Sequence, residues 1–145
     1  MSNLHFFVPS NRRDKHGRPT HVDGWNEYIK AVNSHRLKGA ALERENVRLV
    51  ADYAMAAMHN QRFRPPVVPC EVHVTFVEVN QRRDVPNVFG GLKWVLDGLS
   101  RPRGSKYLGA GAIFDDSPKW VTVLPYVRID PNNPGVEIDV IPIGG

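Results

Sequence analysis

A small α+β domain is the fold class this sequence predicts, with about four strands and flanking helices, and three observations predict it. Between Glu71 and Val79 the residues alternate, with Val72, Val74 and Phe76 on one face and His73, Thr75, Val77 and Val79 on the other. From about Ala40 to Asn60, Leu49, Val50, Tyr53, Ala54, Ala57 and Met58 make one apolar helical stripe, opposed by Glu43, Arg44, Arg48 and Asp52. Two closing runs, Trp120 to Ile129 and Val136 to Ile143, flank the turn residues Asp130 to Gly135 and read as an antiparallel hairpin.

The 145 residues suit one domain spanning residues 1–145. With 41% hydrophobic and 23% charged residues, the composition is that of a globular chain rather than a disordered one. No apolar run approaches the roughly 20 residues that span a bilayer. The opening MSNLHFFVPS lacks both a basic segment and a long apolar one, so no signal peptide is expected and the location expected is cytoplasmic. A lone cysteine, Cys70, excludes an intrachain disulfide and a cysteine-cluster metal site, and is expected as a small buried residue. A net charge of +4 favours polyanionic partners without naming one.

Taken in order, Leu4 to Val8 reads as a first strand closed by Pro9. The loop from Pro9 to Pro19 carries Arg12, Arg13, Lys15 and Arg18, either as a solvated, mobile loop or as contacts to a phosphate backbone. Asp23 is placed to cap a short helix whose Trp25, Tyr28, Ile29 and Val32 make a core-like face. Pro65-Pro66 closes the long helical unit before the next strand. Both faces of the 71–79 strand are rather apolar, which predicts cover on both sides. Glu78, at its far end, is expected to have reached solvent, with a reserve role as a metal ligand.

The segment Arg82 to Asp97 is the centre of the functional reading. Pro86 suits the first turn of a helix. Val88, Leu92, Val95, Leu96 and Leu99 occupy one arc of that helix, and Asn87, Gly90, Lys93, Trp94 and Asp97 the other. Gly90-Gly91 costs about 1 kcal/mol per glycine inside a helix, which is understandable if a group such as a phosphate approaches the backbone. Ser100 to Gly111 forms a Gly-rich connection bearing Arg101, Arg103 and Lys106, but it lacks a nucleotide-binding fingerprint. It leads to Asp115-Asp116.

Carboxylate oxygens suit Mg²⁺, and a neighbouring lysine stabilises charge developing on a phosphodiester. Asp84, Asp116 and Lys93 supply that minimum set if the fold gathers them. Each also has a structural reading: Asp84 as a helix cap, Asp115 or Asp116 as turn chemistry before Ser117-Pro118, and Lys93 with Asp97 as an i,i+4 surface pair. The six histidines are scattered and no catalytic cysteine, serine elbow or P-loop is present.

These parts, in this order, resemble the RusA family of Holliday junction resolvases. The family pattern is an arginine-rich entry to D-x-D-N, a helix with lysine and aspartate, then G-x-x-x-D-D. Here the parts are Arg82-Arg83-Asp84-Val85-Pro86-Asn87, then Lys93 and Asp97, then Gly111 to Asp116. Pro9-Ser10-Asn11-Arg12 is similar to the family's N-terminal loop, so the likeness covers most of the chain. The resemblance implies a mixed sheet with flanking helices, a homodimer, and Mg²⁺-dependent nicking of four-way DNA junctions in recombination and repair. It implies Asp84 and Asp116 as catalytic metal-binding carboxylates, Asp115 beside them, and Lys93 as the catalytic lysine. Arg12, Arg13, Lys15, Arg18, Arg82, Arg83, Arg101, Arg103 and Lys106 are the expected DNA contacts. The second aspartate of D-x-D-N is Pro86 here, which leaves a metal ligand missing. The alternative expectation is therefore a branched-DNA-binding module with little or no catalysis.

Overall fold

The computed structural model describes residues 2–102 and 109–143, so Arg103 and Lys106 lie outside the described residues. The chain forms β1 (Leu4–Pro9), α1 (Trp25–Ser34), α2 (Arg36–Asn60), β2 (Cys70–Glu78), α3 (Val85–Phe89), α4 (Leu92–Leu99), β3 (Val121–Ile129) and β4 (Gly135–Pro142). It is an α+β fold with a mixed four-stranded sheet in the order β1-β4-β2-β3.

The most apolar strand takes an inner position. Val72, Val74 and Phe76 of β2 are fully buried, and they pair in register with Val140, Ile138 and Val136 of β4. Leu4, Phe6 and Val8 of β1 extend the same face, opposite Val140, Ile138 and Val136. Helix α2 covers it with Val50, Ala54 and Ala57, and α4 adds Val95 and Leu99 to the same core. The other face of β2 is less covered than its sequence suggests: Val77 is buried, whereas His73 and Thr75 are only half-buried.

The expected terminal hairpin does not form. β3 runs parallel to β2, β4 runs antiparallel to it, and β2 separates them. The link from 130 to 134 crosses two strand spacings, roughly 10 Å, and contains a turn in which the Asn133 N–H donates to the Asp130 carbonyl at 3.3 Å. It is fastened to the end of β2 by the Asp130 N–H donating to the Glu78 carbonyl at 2.9 Å. Pro125 in β3 is tolerated because β3 is an edge strand.

Local expectations also change. Asp23 does not cap α1: Gly24 is the N-cap, and its N–H donates to the Glu27 side chain at 2.8 Å. No α1 residue is fully buried and Trp25 is half-exposed, because this helix packs mainly against the side of α2 rather than over the sheet. The helix expected from Pro86 onward is two, α3 and α4, meeting at Gly90-Gly91. Those glycines make room for the protein's own chain. A Cβ on Gly90 would lie 2.6 Å from the Trp25 backbone nitrogen, and one on Gly91 would lie 2.8 Å from the Phe76 ring. No phosphate is needed to explain them. Trp94, expected on the polar arc, is buried and donates its indole N–H to the Asp23 carbonyl at 2.9 Å.

Helix α2 ends at Asn60, ahead of Pro65-Pro66. Arg62 turns the chain at φ 51°, with its N–H donating to His59 O at 3.3 Å and the Phe63 N–H donating to Met58 O at 2.9 Å. That bonding pattern is a helix stop of the kind usually made with glycine at the left-handed position. Cys70 is buried as expected, and burial raises its thiol pKa.

Candidate active site

Lys93 stands in the first turn of α4, one turn before Asp97, so α-helical spacing puts both side chains on one strip of surface. Its Nζ lies 3.5 Å from Asp97 Oδ2 and 3.4 Å from Glu43 Oε1 on the adjoining α2. Lys93 is about half-exposed (54%), whereas Asp97 is largely covered (16%). Burial pulls the lysine pKa down, but the charges and hydrogen bonds of Asp97 and Glu43 outweigh it and hold the ammonium above its ordinary value. The Asp97 carboxyl is also raised. Burial is the main cause, Lys93 opposes it, and the negative charges of Asp116 and Glu43 reinforce it.

Lys93, Asp97, Asp116 and Glu43 thus share one electrostatic neighbourhood. Glu43 was missed as a site residue in the sequence. It lies on the polar side of a helix whose stripe is read for packing, and nothing in its spacing points to Lys93, which is fifty positions away.

Asp115 and Asp116 occupy the turn before β3. The residue before them is held from outside: Arg101 Nε donates to the Phe114 carbonyl at 2.8 Å, and its guanidinium carbon sits 3.7 Å over the Phe114 ring. On that ring Trp120 also packs, at 4.2 Å between centroids. An arginine expected to meet phosphate is therefore engaged, at least in part, in fixing the acidic turn.

Asp84 performs the structural role open to it. It is the N-cap of α3, and its Oδ1 accepts the Asn87 N–H at 2.9 Å. Pro86 sits in the exposed first turn that follows. Asn87 is buried, and its Oδ1 accepts the Asn26 N–H at 2.8 Å, which ties α3 to α1. Along the sheet, Asp84 follows the C-terminal end of β2 while Asp116 precedes the N-terminal end of the parallel β3.

Two basic residues expected on DNA are committed elsewhere. Arg83 is only 10% exposed; its Nε and Nη2 donate to the two oxygens of Glu78 at 2.8 Å, and its Nη1 donates to Glu27 at 2.5 Å. Glu78 is itself buried rather than solvated, because it is neutralised where it stands. Arg12 grips the buried Asp23 at 2.5 Å and Glu45 at 3.0 Å. The hydrogen bonds to Asp23 are the largest influence on its guanidinium, and they raise its pKa further. Asp23 also accepts from Asn46 Nδ2 at 2.9 Å, so Arg12 closes a packed network.

The surrounding loop is a closed turn, with an isolated bridge between Arg13 and Pro19 and the Asp14 side chain accepting from the His16 and Arg18 backbone. It leaves Arg13, Lys15 and Arg18 exposed, and Arg82 is exposed as well.

Among the described residues no three His, Cys, Asp or Glu side chains form a group able to hold a metal ion. An all-protein cage is therefore not present. Mg²⁺ does not require one, since it retains waters and uses one or two carboxylates with substrate phosphate. Asp97 and Asp116 act on each other electrostatically, and carboxylate oxygens are the donors a hard cation takes, so the donor chemistry fits.

No family model matches the chain, and no curated protein matches it. Among the described residues no helix is long and apolar enough to cross a membrane.

Proposed function

We propose that this protein is a Mg²⁺-dependent endodeoxyribonuclease of the RusA type, acting as a homodimer on four-way DNA junctions. The observation that carries the reading is the position of Lys93: a half-exposed ammonium between Asp97 and Glu43, with Asp116 close enough to act on Asp97. The order of motifs from Arg82 to Asp116 supports it independently.

Lys93 keeps its positive charge through the physiological range and presents it at the surface, where it can meet a phosphate oxygen. Asp97 and Glu43 orient that ammonium, and the Arg101–Phe114–Trp120 stack anchors the residue that precedes Asp115-Asp116. Asp116 with Asp115, or Asp84 beyond the other end of the parallel β2–β3 pair, would hold Mg²⁺, which when bound stabilises charge on the phosphodiester and makes a water more nucleophilic. Arg13, Lys15, Arg18 and Arg82 supply exposed charge for the DNA arms.

The test is incubation of the purified protein with a synthetic four-way junction and Mg²⁺, beside a linear duplex of the same sequence. Paired nicks confined to the junction are expected. Lys93→Ala should cut at least about 100-fold more slowly with junction binding retained; an equal rate removes Lys93 from the chemistry.

A second reading has its own observation. Pro86 stands where the pattern has a metal-binding aspartate, and Asp84 is engaged as a helix cap. A branched-DNA-binding module would shift the junction and leave it uncut at every Mg²⁺ concentration.

A further inference from the structure

At the C-terminal end of α2 the surface has an open depression of about 660 Å³ lined by Met58, His59, Asn60, Arg62, Phe63 and Arg64. None of these residues is acidic. Met58 and the buried Phe63 give it an apolar part, while Arg62, Arg64 and His59 are exposed around it. It is distinct from the candidate active site, because α2 rises roughly 24 Å between Glu43 and His59.

The backbone of Arg62 adds a second observation. It occupies the left-handed region at φ 51°, at the position of a helix stop where glycine is the unstrained choice. Arg62 and Arg64 are both exposed and both line the depression, with the buried Phe63 between them in sequence. Strain kept at one residue is a pointer to use when its side chain lines a site.

We infer that this depression is a second phosphate-binding site, which takes the backbone of a nucleic-acid arm away from the point of cleavage. It rests on the proposed DNA-binding reading and extends it. Two guanidinium forks match phosphate oxygens, and Phe63 with Met58 accommodates the sugar edge. The depression is open rather than enclosing, so it suits an extended polymer rather than a captured small anion. Branched DNA offers duplex at more than one side of the protein, as a site at the far end of α2 requires.

The test compares the wild type with the double variant Arg62→Gly, Arg64→Gln in junction binding measured across a salt series. Glycine fits the left-handed backbone, so the variant should melt no lower than the wild type, and a weaker complex then reports lost contacts. Two lost phosphate contacts should make the log–log salt slope shallower by about 1.8. Unchanged affinity and slope overturn this assignment while leaving the proposed function standing. A wild-type protein that binds no DNA overturns both. Inorganic phosphate is the remaining probe: saturable binding that the wild type shows and the double variant lacks, together with an unchanged DNA slope, would make this a small-anion site and overturn the polymer assignment.

Discussion

Arg83 and Glu78 form a two-pronged pair, with both guanidinium–carboxylate contacts at 2.8 Å and side-chain exposures of 10% and 3%. The pair joins the end of β2 to the segment entering α3, and Glu27 extends it to the start of α1. A buried carboxylate with two of its acceptor sites filled this way is a structural element. Arg83→Leu should therefore cost about 3–5 kcal/mol, because it leaves a buried charge without its partner. Urea denaturation checks this as a lower midpoint at unchanged slope. A loss below about 1 kcal/mol, the value of an exposed pair, would show that Glu78 reaches water in the variant.

Asp97 gives a pH dependence of the reverse sign from most carboxylates. Burial, with help from Asp116 and Glu43, raises its folded pKa above the ordinary value of 3.8, despite Lys93. The folded state thus holds this proton more tightly than the unfolded state. Its contribution to stability is lost as pH rises from the ordinary value through the raised one. Asp97→Asn removes that ionisation. In metal-free buffer the variant should be the more stable protein at pH 7, with the difference shrinking toward pH 3. Thermal melts of both proteins across that range provide the check, and a difference that instead grows on acidification contradicts the raised pKa.

The element types were legible because periodicity reports burial: the alternation of Val72, Val74 and Phe76 met the core, as did the α2 stripe apart from the exposed Tyr53. The pairing of β3 was not legible. A five-residue turn serves equally for a hairpin and for a step across an intervening strand, and only competition for the inner position decides between them. Charge partners were the other gap. Lys93 and Asp97 are visible as an i,i+4 pair, whereas Glu43, Glu78–Arg83 and Arg12–Asp23 are joined by tertiary packing. The glycines at 90 and 91 do mark a close approach, as their cost in a helix implies, but the approaching groups are Trp25 and Phe76 rather than a ligand.

Asp84 combines a helix-cap role with a proposed chemical one, and one substitution separates them. Asparagine is as good an N-cap as aspartate, because its side-chain oxygen accepts the same N–H. Asp84→Asn should keep the Asn87 bond and change stability by less than about 0.5 kcal/mol, while cutting the junction at least about 100-fold more slowly. Asp84→Ala should lose about 1 kcal/mol as well. Parallel melting and cleavage measurements distinguish the outcomes; full activity in the asparagine variant would assign Asp84 to the cap alone.

Pro86 is the position at which the metal-binding reading can be strengthened rather than weakened. It is exposed in the first turn of α3, directly after the Asp84 cap. Its missing N–H costs nothing there, and neither would restoring one. An aspartate at a helix N-terminus is favoured by about 0.3–1 kcal/mol through the helix dipole, which offsets the loss of the proline's fixed backbone. Pro86→Asp should therefore fold like the parent and bring a second carboxylate two residues from Asp84. Titration calorimetry should show Mg²⁺ binding at least about tenfold tighter, equivalent to roughly 1.4 kcal/mol, and cleavage should persist at lower Mg²⁺. Identical Mg²⁺ affinity in the two proteins would place any metal away from Asp84 and leave that carboxylate to the helix.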